Sequence, residues 1–371
     1  MNKLKILKTA AKNNAVTIIA FFAALLTSFI VPPDKEYLGY FDFKTLSCLF
    51  AVLAVVCALR NVRFFYTIAR KIVKCFKTAR MSVLGIVYIT FIGSMLIAND
   101  MALLTFLPLG FFVLHTTGKQ KYMAFTFIMQ NIAANLGGML TPFGNPQNLY
   151  LYSKFEIGDI EFMKIMLPPF LVSVLLITVA CIVVVKPEPL VLEYDAYNTP
   201  WWRVSVYLVL FALSIVMVFR FIPYQVGLVV IPLVLLFMDR RALLNVDYGL
   251  LLTFVFFFIF SGNMARIDAV REFFGWLLSK NTLVFSALSC QVISNVPTAI
   301  LLSQFTDNYR ELLMGVNIGG TGTLIASLAS LITFRSYTMH NPGKTGEYLV
   351  KFSLWNFAFL GILLLFCLII L

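Results

Sequence analysis

The stretch NLGGMLTPFGNPQN, residues 135–148, lies inside a long apolar region of a 371-residue chain. It holds five amide or hydroxyl side chains (Asn135, Thr141, Asn145, Gln147 and Asn148), three glycines and two prolines. An ordinary membrane-spanning helix does not carry such a run. Pro142 and Pro146 remove backbone donors, and the glycines free the backbone to leave the helical region. Non-helical backbone at membrane depth survives only where protein buries it or where it lines a wet cavity. The stretch therefore predicts a broken helix at an internal site.

The surrounding sequence reads as membrane protein. The chain is 60% hydrophobic, 15% aromatic and only 12% charged, with a mean hydropathy of +0.90. Soluble proteins carry about 25% charged residues, which excludes a single soluble core. Apolar runs at 15–31, 44–59, 121–150, 161–185, 204–219, 224–238, 248–264, 309–334 and 346–371 are long enough to span hydrocarbon. Two more, 81–114 and 281–307, are interrupted by polar residues and predict re-entrant hairpins. Lys3, Lys5, Lys8 and Lys12 precede the first span, and no small-residue cleavage site follows it, so it reads as a retained anchor.

Several function classes drop out. The six cysteines show no ligand spacing, and His115 and His340 form neither a metal pair nor a catalytic one. No HExxH, paired-aspartate or Ser–His arrangement occurs in the spans, so an intramembrane enzyme is disfavoured and no cofactor is expected beyond bound sodium. Seven basic residues lie between Arg60 and Arg80, part of a net charge of +12. Phe64, Ile68 and Ile72 recur among them at helical spacing. The segment reads as an amphipathic helix on anionic lipid headgroups rather than a nucleic-acid patch. With the N-terminus and this helix in the cytoplasm, the hairpins enter from opposite sides. That arrangement puts twenty of the 29 Lys and Arg residues inside, as the positive-inside rule requires.

The chain divides into two matching halves. Residues 1–185 hold scaffold spans 15–59, an interfacial helix 60–80, a hairpin 81–114, a broken helix 121–150 and a span 161–185. An interfacial linker, 186–203, follows. Residues 204–371 hold scaffold spans 204–264, an interfacial helix 266–279, a hairpin 281–307, a broken helix 309–334 and a span 346–371. Asn135, Gly137 and Thr141 fall in register with Asn317, Gly319 and Thr323; Asn145 meets Ser327, and Ala98-Asn99 meets Ser294-Asn295. Two broken segments at corresponding places in inverted halves point to a secondary-transporter binding site. The all-α polytopic fold expected is thus two inverted repeats, each with a re-entrant hairpin and a broken helix.

At these motifs the sequence resembles the ion transporter superfamily. ANDMALLTFLPL (98–109) resembles the hairpin of arsenite permeases, and TPFGNPQN (141–148) the signature shared with citrate-type and sodium–proton antiporter relatives. SNVPTAILL (294–302) and NIGGTGTLIASLAS (317–330) resemble the second-half motifs. The divalent anion:sodium symporters are related, though their Ser-Asn-Thr hairpin tips read Ala-Asn-Asp and Ser-Asn-Val here. The resemblance implies a homodimeric elevator in a bacterial-type inner membrane, in which a transport domain slides against a scaffold.

The expected binding residues are Asn99, Asp100, Asn135, Gly137, Thr141, Asn145, Asn148, Ser294, Asn295, Thr298, Asn317, Gly319, Thr321, Thr323 and Ser327. Sodium sites are expected near Asn99, Asp100 and Thr141 and near Asn295, Asn317 and Thr323. Asp100 is a carboxylate at membrane depth, costly unless it couples a cation or proton or caps the helix that follows it. None of the four motifs contains Lys or Arg, so an anionic solute would rest on amides, hydroxyls and helix N-termini. The expected function is cation-coupled transport of a small carboxylate or oxyanion; cation–proton antiport is the alternative.

Overall fold

In a computed structural model, residues 15–73, 75–190 and 200–371 are described, and they form helices without strands. The lysine-rich N-terminal flank, Lys74 and linker residues 191–199 lie outside the described residues. Helices α1 (Ala15–Ile30) and α2 (Phe43–Asn61) precede a short α3 (Phe64–Val73). Helices α4 (Ala79–Ile97) and α5 (Asn99–Thr116) meet at Ala98. The quoted stretch separates α6 (Met123–Gly137) from α7 (Pro146–Lys154), and α8 (Asp159–Val184) follows.

The second half opens with α9 (Trp201–Val218), α10 (Tyr224–Met238), a short α11 (Arg240–Leu244) and α12 (Tyr248–Ala265). After α13 (Asp268–Lys280), α14 (Thr282–Ile293) and α15 (Asn295–Leu302) meet at Ser294. The second break separates α16 (Tyr309–Ile318) from α17 (Leu328–His340), and α18 (Thr345–Ile370) is last. Among the described residues seven helices are long and apolar enough to cross a membrane: α2, α4, α5, α8, α9, α12 and α18.

Side chains set where many of these helices begin. Asp42, Thr78, Asp247, Asn281 and Asn308 each accept a hydrogen bond from a backbone N–H three residues on. Such caps contribute about 1 kcal/mol each by occupying donors that a helix leaves unpaired.

Packing sorts the helices into two groups. Helix α1 lies against α12, and α2 against α9 and α10. In the other group α4, α5 and α6 pack together, α14 lies on α16, and the halves interlock: α17 against α5 and α6, α15 and α16 against α7. The groups meet where α2 touches α7 and α12 touches α15. Large apolar side chains such as Phe29, Val209, Phe237 and Ile369 are exposed, as a chain solvated by hydrocarbon requires.

Three features depart from the sequence expectation. The arms of the second hairpin, 12 and 8 residues, cannot cross the hydrocarbon, but those of the first have 19 and 18. At 1.5 Å per residue the latter reach about 28 Å and could each cross. What marks them as a hairpin is the position of their tip. The basic helix is α3 alone, because Arg63 at φ 56° ends α2, and Arg80 belongs to α4. Thr67, Ala69 and Val73 are its buried face, packed on the first hairpin, while Ile68 and Ile72 face outward. Finally, the helix after the second break runs to His340 rather than ending near 334.

Candidate functional site

The hairpin tips are built alike. Ala98 (φ 64°, ψ 154°) and Ser294 (φ 75°, ψ 159°) both occupy a region that favours glycine, at a cost of about 1–3 kcal/mol each. The next residue steadies each turn from within. Asn99 Oδ1 accepts from the N–H of Asp100, and Asn295 Oδ1 from that of Val296, both at 2.9 Å. The N-cap position of α5 is Ala98, which has no side chain to cap with, so the Asn99 amide is the side chain that meets a backbone donor in this turn. The capping role considered for Asp100 is not what its side chain does: its Oδ1 is buried without a hydrogen-bond partner.

The breaks correspond just as closely. Thr141 Oγ1 donates to Met95 O and Thr323 Oγ1 to Gln291 O, both at 2.9 Å. Met95 and Gln291 each stand three residues before their hairpin's tip. The two threonines thus tie each break to the first arm of its hairpin. Gly137 passes so close to α4 that an added Cβ would lie 2.2 Å from Phe91 O; at Gly319 it would lie 3.0 Å from Ala287 Cα.

The carbonyls freed by the breaks are occupied. Asn148 Nδ2 lies within 3.1–3.4 Å of the carbonyls of Gly138, Met139 and Thr141. Gln291 Nε2 donates to Gly319 O and Thr321 O at 2.9 and 3.1 Å, and its Oε1 accepts from the N–H of Thr323. In place of open carbonyls stands a buried amide network spanning both halves. Asn135 Oδ1 accepts from Asn99 Nδ2 (3.1 Å) and Ser327 Oγ (2.7 Å). Asn145 Nδ2 reaches Asn317 Oδ1 (3.4 Å), and Asn317 Nδ2 donates to Asn148 Oδ1 (2.6 Å). Thr298 and Thr321 return their hydroxyls to Ser294 O and Ile318 O.

In front of this network lies a cavity of about 350 Å³. Of the expected binding residues, Asn99, Asp100, Ser294, Asn295 and Ser327 line it. Asn135, Gly137, Thr141, Asn145, Asn148, Thr298, Asn317, Gly319, Thr321 and Thr323 do not; they form the structure that holds the lining in place. Both tips therefore open on one cavity, joined there by the N-terminal residues of α7 (Pro146 and Gln147), α12 (Gly249 and Leu250) and α17 (Leu328). Helix N-termini present partial positive charge. Asp247 also lines the cavity, and among the described residues no Lys, Arg or His does. The rest of the wall is largely apolar, with Val292, Ile293, Val296, Leu331, Phe257 and Phe260.

Gln147 and Asp247 are not among the expected binding residues. Gln147 is 1% exposed and its Oε1 has no partner; Asn145 Oδ1 is likewise unpartnered. An aspartate before an apolar run signals a helix cap, which Asp247 is, so nothing in the sequence marked its second position. Among the described residues no group of three His, Cys, Asp or Glu side chains could hold a metal ion. Among the lining residues, Asp100, Asp247 and Gln147 carry oxygens of the kind that suits a hard monovalent cation.

Comparison with known proteins agrees with this architecture. The family model described as citrate transporter matches residues 6–309. An uncharacterized transporter of Methanocaldococcus jannaschii is 32% identical over 323 residues, covering 84% of this chain and 85% of that one. The inner membrane protein YbiR of Escherichia coli K12 is 30% identical over 319 residues, covering 83% and 84%. Among solved structures, the YdaH transporter of Alcanivorax borkumensis, described as having an unusual topology, superposes with a TM-score of 0.59 over 94% of this chain and 97% of its own. At 11% identity that likeness concerns the fold.

Proposed function

The chain belongs to the citrate transporter family, and we propose that this multi-pass secondary transporter moves a small anionic solute, a carboxylate or oxyanion, together with sodium or protons. One observation carries the reading: both hairpin tips and both second half-helices of the breaks open on a single cavity whose lining, among the described residues, bears two carboxylates and no basic side chain. Helix N-termini and the Ser294, Asn295 and Ser327 side chains suit an anion. Asp100 and Asp247 repel it unless positive charge arrives as well. An anion enters such a site only with an escorting cation, which makes coupling a condition of binding.

The remaining parts of the proposal follow the twofold architecture. The hairpin-bearing helices move as a unit against a scaffold of α1, α2, α9, α10 and α12, and the scaffold forms a homodimer in the inner membrane, N-terminus in the cytoplasm. Cation–proton antiport is the second reading, favoured by the partnerless oxygen of Asp100. Proteoliposome uptake of labelled di- and tricarboxylates and of oxyanions, with and without sodium and pH gradients, separates the two. Gradient-dependent anion uptake is the expected result. Uptake indifferent to both gradients would sink the coupling, and sodium-driven proton movement without anion uptake would establish the antiporter.

A further inference from the structure

Away from the cavity, where α6 and α18 begin and α8 ends, a groove of about 290 Å³ opens between these three helices. Lys121 and Lys351 line it together with Phe125, Ile128, Val184 and Trp355. The two lysines are placed alike. Lys121 stands four residues before Phe125, and Lys351 four before Trp355, about one helical turn in each case. The Phe125 and Trp355 rings meet edge to face with centres 5.4 Å apart, so two ammonium groups stand one turn above two touching rings. Asn341 Nδ2 lies 3.4 Å from the Met123 sulphur, which sets the start of α18 beside that of α6. Both helices therefore run inward from the same end. Ile128 lies about 10 Å further along α6 than Lys121, so the groove passes from a charged mouth to an apolar depth.

Among the described residues no acidic side chain lines the groove. Lys121 shares the Glu188 carboxylate with Lys119, at 2.5 and 2.7 Å, and Lys351 pairs with Glu347 at 2.6 Å. The lining lysines are still 59% and 49% exposed, within reach of a partner from outside. Segments 77–80, 119–122, 184–190 and 341–351 close this end, and they add Lys77, Arg80, Lys186 and Lys344, with Glu188 and Glu347 their only acids. Positive charge is therefore in excess there. Beside the groove Val183 and Leu354 face outward, as a surface in contact with hydrocarbon does.

We propose that this groove seats one anionic phospholipid, its phosphate between Lys121 and Lys351 and an acyl chain along Phe125, Ile128, Val184 and Trp355. A free anion would satisfy the lysines and leave the apolar depth unfilled. A zwitterionic lipid would fill the depth but bring a cation of its own to a mouth already in positive excess. An anionic lipid meets both demands, and lysines with a tryptophan below them suit the boundary between headgroups and hydrocarbon. All three helices belong to the group that carries the hairpins. Asn356, next to Trp355, accepts from Asn131 of α6 at 3.3 Å, and Asn131 also reaches Ser330 of α17 at 3.3 Å. The lipid thus braces the first broken helix from outside, one residue from the contact that ties α6 to α18.

The test uses the full-length protein in detergent micelles with Trp201→Phe, Trp202→Phe and Trp276→Phe, which leaves Trp355 as the sole tryptophan. Phosphatidylglycerol with brominated acyl chains quenches Trp355 fluorescence where a chain touches it, and brominated phosphatidylcholine with the same chains is the control. Half-quenching is expected at about tenfold less phosphatidylglycerol than phosphatidylcholine. Lys121→Gln combined with Lys351→Gln should remove that difference, and Lys121→Arg combined with Lys351→Arg should keep it. Lys280→Gln, on α13 and outside the groove, should leave it unchanged. Unbrominated phosphatidylglycerol should restore the fluorescence, and inorganic phosphate at the same concentration should not. Equal quenching by the two lipids before any lysine is changed would overturn the proposal, and that comparison needs no lysine variant to fold. An undiminished preference in the folded glutamine pair would overturn it as well. Recovery of fluorescence on adding phosphate would assign the lysines to a free anion and remove the lipid.

Discussion

Gly137 lies where the first broken helix runs into the back of the hairpin, and the space there admits no methyl group. Its added Cβ would meet the backbone oxygen of Phe91 at 2.2 Å and Ser94 Oγ at 2.5 Å. A serine can rotate away; a helix carbonyl cannot. Gly137→Ala should therefore lower stability by about 1–3 kcal/mol, the usual penalty of overpacking. Gly39→Ala, with nothing within 4 Å, should change it little. Thermal unfolding of the two variants checks both. At this scale the sequence was informative about which residues matter and silent about which partners they take. Two Asn-x-Gly-Gly-x-x-Thr runs announce two equivalent breaks. That Thr141 and Thr323 bind hairpin carbonyls while Asn148 and Gln291 fill the breaks depends on contacts between segments distant in sequence. Asp247 was illegible for a different reason, since capping a helix and lining a cavity leave the same aspartate before the same apolar run.

Between elements, two contacts decide how the parts are joined. The turn between α9 and α10 docks on the first broken helix. Arg220 Nη2 donates to Tyr152 O at 2.6 Å, its guanidinium lies 4.2 Å from the Tyr152 ring centre, and Phe219 meets Phe143 edge to face. A charged donor on a helix C-terminal carbonyl contributes about 1.5–3 kcal/mol. Arg220→Met, which keeps most of the stem, should cost about that much in an unfolding measurement. Tyr152→Phe keeps the carbonyl and the ring and should cost less. The second contact is a clasp. Residues 186–190 run back along the start of α4, with Ala79 N donating to Glu188 O and Leu190 N to Lys77 O. Hydrogen bonds from Lys119, then Lys121 and Tyr122, hold the Glu188 carboxyl down at about 2 against an ordinary value of 4.5. A lowered value means that the clasp stabilises the fold above about 4.5 and loses that contribution as pH falls from there toward about 2. The gap in unfolding midpoint between wild type and Glu188→Gln should be widest near neutrality and close over that acid range. A gap that grows with acid would refute it. Breaks and hairpin tips were legible at this scale because glycine, proline and amides are rare in apolar runs. The clasp and the Arg220 turn were not, because each joins short polar segments that resemble ordinary surface loops.

For the whole molecule the decisive question is what moves. The two helix groups interlock differently: α15 to α17 thread among α5 to α7, so the hairpins and breaks of both halves are bound to one another. Contacts to α1, α2 and α9 to α12 are sparser, chiefly α12 on α15 and α2 on α7. A body tied within and lightly held without is suited to rigid displacement. Such motion must separate Phe143 on the first break from Phe219 on the scaffold turn, whose rings are now 5.8 Å apart. Phe143→Cys and Phe219→Cys can be bridged with a short bifunctional thiol reagent, and the background is favourable. Cys75 is the one exposed cysteine and Cys75→Ser removes it, while the other five are buried. Bridging should stop uptake in proteoliposomes, because the two helix groups can no longer move apart. Cleaving the bridge with a reductant should restore uptake. Undiminished turnover in a fully bridged protein would mean that the groups stay together and the hairpins gate locally. In that case the tips alone would have to move, and the strain stored at Ala98 and Ser294 would be the natural place to look for it.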